Sequence, residues 1–364
     1  MAKRIVVKVG TSVITDSNGR VDNAKLKMIT DQISALSSKG IEVAIVSSGA
    51  IAAGVERLKL DDRPVDIPEL QAAASVGQGI LFERYSTLFQ KDDITSGQIL
   101  LTQYDTTHRQ QYLNAKNALR ELLKMKVIPI INENDTTAVD EIRFGDNDTL
   151  AALVSVVIEA DMMIILSDVD GLYSEDPRTS TEAKFIKVVE KVTPEIEDMA
   201  KGFGSRFSSG GMVTKISAAR IVNSAKISMV ITDGNKQDAI ESAIDKKIGT
   251  FFQPAKKRTS SKKIWICYGR TPSGTINIDK GAVEALVSKG TSLLPAGILG
   301  VEGNFDVGDT VDIAGPKKII ARGLTNYSSV ELSKIKGKKS IEIYGVGPGE
   351  NAEEVIHRDC LVVI

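Results

Sequence analysis

The chain has 364 residues, of which 42% are hydrophobic and 26% charged, and its net charge is −1. That is the balance of a soluble globular protein with room for two domains. It excludes a disulfide framework or thiolate zinc site, because Cys267 and Cys360 are its only cysteines, and a histidine triad or imidazole metal cluster, because His108 and His357 are its only histidines.

The longest apolar runs, such as Val127–Ile131 and Met162–Leu166, are far too short to cross a bilayer. Lys8 interrupts Ile5–Val9, so the N-terminus lacks the apolar core of a signal peptide and a cytoplasmic location is expected. Any catalysis must then rest on Lys, Arg, Asp, Asn and backbone amides.

In chain order, the first two-thirds alternates strand and helix patterns. Arg4–Val9 reads as strand, and Asp22–Lys39 as helix with Leu26, Ile29, Ile33 and Leu36 on one face. Glu42–Val46 reads as strand, Gln71–Gln90 as helix, Gln98–Leu101 as strand and Asn114–Lys124 as helix. Then come strand Val127–Ile131, helix Thr149–Glu159, strand Met162–Leu166, helix Gly211–Ser224, strand Ile227–Ile231 and helix Lys236–Ile244. Such alternation, with continuously apolar strands, predicts an α/β fold: a largely parallel sheet between helix layers.

Pro254–Lys263 has no large apolar side chain and five basic ones, which suits a linker. Beyond it, Trp265–Tyr268, Thr275–Ile278, Gly297–Val301, Thr310–Ile313, Lys318–Arg322 and Ser340–Ile343 read as short strands around one helix, Lys280–Lys289. This predicts a small β-rich barrel. The expected domains are 1–253, a linker and first strand over 254–272, and 273–364. From Pro254 onward there are 16 Lys and Arg against 12 Asp and Glu. The excess is compatible with a polyanion partner, but a solvated basic surface explains it more simply.

Several loops carry chemistry. Lys8 lies inside an apolar strand just before Gly10-Thr11-Ser12, where it is either an edge lysine reaching water or a charge at a strand's carboxyl end, the place where open α/β sheets bind ligands. Ser47-Ser48-Gly49-Ala50 lets backbone approach a ligand, and a turn with close helix packing accounts for it equally. Acidic and amide side chains are dense from Asn132 to Asp135 and again from Asp146 to Asp148, beyond what helix capping requires. Ser208-Ser-Gly-Gly-Met-Val-Thr-Lys215 opens a helix with paired glycines and a lysine in the first turn or so, a combination suited to polyphosphate, without Walker A spacing, and in isolation a flexible loop with a surface lysine accounts for it equally. Ser167-Asp168 ends a further strand, where Asp168 is placed to meet a nucleotide or to make the Asp-Gly turn that follows.

Together, Lys8-Val-Gly-Thr-Ser, Val46-Ser-Ser-Gly-Ala-Ile-Ala-Ala-Gly54, Ile131-Asn-Glu-Asn-Asp135, Phe144-Gly-Asp-Asn-Asp148 and Gly210-Gly-Met-Val-Thr-Lys215 resemble the bacterial gamma-glutamyl kinases, enzymes of the amino-acid kinase fold. Gly290-Thr-Ser-Leu-Leu-Pro-Ala-Gly-Ile298, with Gly303-Asn-Phe and Val307-Gly-Asp-Thr-Val311, resembles the PUA domain joined to them. The likeness runs nearly end to end. It departs at Ser208-Ser209, where that family usually has Gly-Thr.

The resemblance implies transfer of the γ-phosphoryl group of ATP to the side-chain carboxylate of L-glutamate, the first step of proline biosynthesis. It assigns Lys8, Lys215 and Asp148 to catalysis, with Asp148 aligning the lysines. It assigns Ser48, Asp135 and Asn147 to glutamate, and Lys8, Ser167, Asp168, Ser209, Gly210, Gly211, Met212, Val213, Thr214 and Lys215 to ATP. Mg2+ is expected to arrive with ATP, and no residue is assigned as a metal ligand. It further implies a homo-oligomer (dimer or tetramer), feedback inhibition by proline and functional coupling to gamma-glutamyl phosphate reductase. PUA domains commonly bind RNA, but this one has a small basic excess and few stacking aromatics, so RNA binding is not expected; a salt-dependent gel shift would detect it.

Overall fold

The computed structural model describes residues 2–102, 105, 109–137, 147–201, 211–260, 263–264, 266, 272–338 and 354–363. The chain forms two compact units, Met1–Arg258 and Thr259–Ile364.

In the first unit, β1 (Arg4–Val9), β2 (Glu42–Ser47), β3 (Ser96–Leu101), β4 (Ile128–Glu133), β5 (Met162–Ser167) and β9 (Ser228–Asp233) lie side by side in the order β3-β4-β2-β1-β5-β9, and every neighbouring pair is parallel. Three short strands, β6 (Leu172–Tyr173), β7 (Phe185–Ile186) and β8 (Val188–Val189), precede β9. β10 (Thr250–Phe252) runs antiparallel to β9 and carries β8 on its other side, while β6 and β7 form a separate hairpin. These marginal strands are too short to show a periodic pattern, so sequence reading passes over them.

Burial on both faces explains the unbroken apolar strands. Ile5, Val7, Val9, Ile45, Ile164 and Leu166 join Leu26, Ile29 and Ile33 in one buried cluster. The latter three come from α2 (Asn23–Ser38), which follows the single turn α1 (Thr11–Ile14). Asp22 starts α2 by accepting hydrogen bonds from the Ala24 and Lys25 amides.

The remaining helices of this unit are α3 (Ala50–Leu58), α4 (Ile67–Gln90), α5 (Arg109–Lys124), α6 (Asn147–Ile158), α7 (Pro194–Lys201), α8 (Met212–Ser224) and α9 (Ala239–Ile244). Of the two readings of Ser47–Ala50, the structure shows the turn with close helix packing: after Ser48-Gly49 the chain is helical in α3. Its small residues serve a close helix crossing. A Cβ on Gly54 would lie 1.8 Å from the Ala73 carbonyl oxygen, and one on Gly77 1.8 Å from that of Ala50. Gly49 has φ 108°, a left-handed conformation that turns the chain from β2 into α3.

The second unit holds a five-stranded sheet ordered β12-β11-β13-β14-β15. Its strands are β11 (Gly274–Ile278), β12 (Ile298–Gly303), β13 (Thr310–Ala314), β14 (Ile319–Leu324) and β15 (Leu361–Val363), with helices α10 (Lys280–Lys289) and α11 (Ser329–Ile335). Ile276, Leu286, Ile298, Val311, Ile313 and Leu332 belong to its own apolar core. Of the expected strand Trp265–Tyr268, Ile266 is described and is helical, as are Lys263 and Ile264 just before it. Ser260 supplies the cause, because its carbonyl accepts from the Ile264 amide at 3.0 Å and its hydroxyl from the Lys263 amide at 3.3 Å. The expected strand Ser340–Ile343 lies outside the described residues.

The first unit extends into the basic stretch, since the Ala255 amide donates to the Asn223 carbonyl. A chain ended after Arg258 is therefore expected to unfold in a single cooperative transition, read by circular dichroism against temperature. A gradual, non-cooperative melt would mean that this unit does not fold alone.

Candidate active site

The carboxyl ends of β1, β2, β4 and β5 open on the same edge of the sheet, and the chain crosses from one side of β1 to the other there, through β2 and β5. That reversal of strand order leaves a crevice. Into it come the amino ends of α6 and α8.

Asp148, in the first turn of α6, is the centre. It is 1% exposed, and its two oxygens are shared among three donors. Lys8 Nζ from β1 lies 2.8 Å from Oδ1, while Lys215 Nζ from α8 lies 3.2 Å and Thr214 Oγ1 2.7 Å from Oδ2. Burial by itself would raise the Asp148 carboxyl. The charges of Lys8 and Lys215, with hydrogen bonds from Lys8 and Thr214, outweigh burial and hold it well below the usual carboxylate range. Lys8 and Lys215 are themselves buried, so one carboxylate serves two ammonium groups in a nearly dry place. Among the described residues two ammonium groups thus meet one carboxylate, an arrangement that attracts an anionic ligand.

Lys8 does not snorkel from a sheet edge, since β1 is central and its lysine is enclosed. Its ammonium curls over Gly10, where a Cβ would lie 3.8 Å from Nζ.

Asn147, beside Asp148, belongs to a second group. Its Nδ2 donates to Ser48 Oγ and Asn132 Oδ1, both at 2.9 Å, and approaches the Ser47 carbonyl at 3.3 Å. Asn147 Oδ1 is buried and has no hydrogen-bond partner among the described residues. Ser48 is held in turn by its amide, which donates to the Val9 carbonyl at 3.0 Å. Asp135 is half-buried in the turn just past β4.

Ser167, buried at the end of β5, donates through Oγ to Asp168 Oδ1 at 3.1 Å, and Asp168 is exposed. α8 begins at Met212 with Gly211 in the N-cap position, and no side chain among the described residues caps it. Met212 is buried, Thr214 half-buried and Val213 47% exposed. Ser209 and Gly210 lie outside the described residues, as do Phe144, Gly145 and Asp146.

Sequence reading overlooks Gln78 and Tyr85 of α4 near this site. Gln78 Oε1 accepts from Asn132 Nδ2 at 2.6 Å, and the Tyr85 hydroxyl shares a 3.0 Å hydrogen bond with Ser47 Oγ. No local motif marks either one. Among the described residues no group of three or more His, Cys, Asp or Glu could hold a metal ion, and Asp148 is already engaged by two ammonium groups.

Residues 3–233 match the amino acid kinase family and residues 274–346 match the PUA domain. A glutamate 5-kinase of Caldanaerobacter subterraneus subsp. tengcongensis is 47% identical over 363 residues, which is 99% of this chain and 98% of that one. The chain belongs to the glutamate 5-kinase family. Another member, from Carboxydothermus hydrogenoformans, is 46% identical across 100% of this chain and 98% of its own length.

The fold agrees with this family. A carbamate kinase from Giardia lamblia, solved bound to AMP-PNP, superposes with a TM-score of 0.50 at 16% identity, covering 69% of this chain and 98% of its own. In this family setting the doubly paired Asp148 is the part of the geometry with the most evident chemistry. Two fixed cations at the end of the central strands suit a reaction in which anions must meet.

Proposed function

We propose that the chain transfers the γ-phosphoryl group of ATP to the side-chain carboxylate of L-glutamate, yielding gamma-glutamyl phosphate. The observation that carries this reading is the buried Lys8–Asp148–Lys215 cluster, two ammonium groups on one carboxylate, in a chain 47% identical over its length to a glutamate 5-kinase.

The physical difficulty is to bring a carboxylate against a polyphosphate. Lys8 and Lys215 offset the repulsion and stabilise the charge on the phosphoryl oxygens in transit, while Asp148 keeps both ammonium groups in register. No general base is required, because a glutamate side chain with pKa about 4.3 is already ionised at neutral pH. The amides at the start of α8, from Met212 to Thr214, favour phosphate, and Ser167 and Asp168 stand at the next strand end for the nucleotide. Mg2+, when bound with ATP, would shield the charge of its phosphates. Proline as a feedback ligand, and assembly into a dimer or tetramer, belong to this same proposal.

On the amino-acid side, Ser48, Asp135 and Asn147 surround the glutamate, and the Asp135 carboxylate meets its α-ammonium group. Asp135→Asn is expected to weaken glutamate by about 1–3 kcal/mol, the value of a charge-assisted hydrogen bond, with the ATP constant little changed. Both Michaelis constants and the melting temperature decide the matter. A variant that melts early but takes glutamate normally would make Asp135 a loop-stabilising residue instead.

The reading as a whole is tested by ADP release dependent on glutamate, with aspartate and N-acetylglutamate as controls. Equal turnover with N-acetylglutamate would overturn the role of a free ammonium group, and no turnover with glutamate would overturn the activity.

A further inference from the structure

The amide groups behind Asn147 form a directed chain that ends on α4. Asn132 is 2% exposed, and Asn147 is 8% exposed. A primary amide can sit either way round in nearly the same space, so its orientation is set by the neighbours that donate or accept. Gln78 Oε1 takes the Asn132 Nδ2 group at 2.6 Å. That leaves Asn132 Oδ1 facing Asn147 Nδ2 at 2.9 Å. Asn147 Nδ2 is thereby spent on Asn132, Ser48 and Ser47, and its own Oδ1 is left buried and unpartnered among the described residues. A buried carbonyl oxygen without a donor is costly unless a ligand supplies one.

We propose that Gln78 is a positioning residue for the amino-acid substrate: by accepting from the NH2 of Asn132 it locks in the polarity that the Ser47 carbonyl, an obligate acceptor, imposes on the Asn132–Asn147 pair, and so keeps Asn147 Oδ1 presented as an acceptor for the substrate's ammonium group. The proposal rests on the phosphoryl-transfer reading above and adds to it a residue that touches no substrate.

Helix packing makes the reach possible. Gly77, the residue before Gln78, packs without a side chain against the Ala50 carbonyl and the Gly54 amide of α3. α4 is thus drawn close to the loop that carries Ser48, and Gln78 comes within reach of β4. Leu81 and Tyr85, three and seven residues further on, fall on the same side of α4 and are buried. Tyr85 contacts Ser47, so the helix steadies the serine loop as well as the amide pair.

The test uses the full chain with three substitutions at this half-buried helical position, all to good helix formers. Gln78→Glu keeps an acceptor, Gln78→Met removes it, and Gln78→Lys offers only donors, which would turn Asn132 round. The glutamate KM is expected to stay within about twofold of the parent for Glu, and to rise about tenfold for Met and further for Lys, as for one hydrogen bond to a charged group. The ATP KM should hold for all three, while the melting temperature should hold for Glu and fall modestly for Met, which leaves the buried Asn132 amide without its acceptor.

The proposal is overturned if Met and Lys leave the glutamate KM at the parental value, at whatever temperature they melt. It is also overturned if the ATP constant rises in parallel, or if Glu is as impaired as Met. A parent chain with no glutamate-dependent ADP release would instead overturn the phosphoryl-transfer reading, a separate result from variants that match an active parent.

Discussion

Replacing either Lys8 or Lys215 by Ala is expected to lower turnover by about 10²–10³, the usual loss when one fixed donor to a transition-state charge is removed. Neither Michaelis constant should change nearly as much, because the charge matters most while the phosphoryl group is in transit. Stability should behave differently. Two ammonium groups share the Asp148 carboxylate, so removing one leaves the carboxylate paired with the other rather than orphaned. The melting temperature is therefore expected to move little while turnover collapses. Steady-state kinetics beside a thermal melt check both halves, and near-parental turnover in either variant would reduce that lysine to a structural ion.

Asp148→Asn should do the reverse for stability. It keeps the shape of the side chain but removes the carboxylate that both buried ammonium groups meet, a defect costing about 3–5 kcal/mol where a buried pair is broken. The native carboxyl is held below its unfolded value, so its contribution is complete above pH about 3.9 and is lost only on acidification below that. The full loss should thus appear at neutral pH. ATP, whose phosphates replace the missing negative charge, should raise the melting temperature of the variant more than that of the parent. Turnover should fall as well, since the lysines lose their register. A variant that melts like the parent and gains no more from ATP would show that Asp148 does not balance these charges.

Much of the fold was legible along the chain because the central strands are buried on both faces. Arg4–Val9 and Lys280–Lys289 have the bounds that their apolar patterns suggest, and Met162–Ser167 differs by one residue. The short strands at 172–189, and helix Ala50–Leu58, were not legible. Two-residue strands carry no period, and a run of Ala and Gly looks like a turn until a second helix is seen pressed against it.

The chemistry of the site divides in the same way. Charges and amides set within apolar runs (Lys8, Asp148, Lys215, Asn147) stand out in the sequence, because burying them costs energy unless something answers for them. What answers is a matter of tertiary structure. Lys215 reaches Asp148 across 67 residues of chain, and Gln78 reaches Asn132 across 54. Parallel strands with helical crossovers bring their carboxyl ends to one edge whatever their distance in sequence, so the sharing of one carboxylate by two lysines, and the direction of the amide chain, were decided only when the sheet formed. The sequence by itself determined which groups had to be paired; the order of the strands determined with whom.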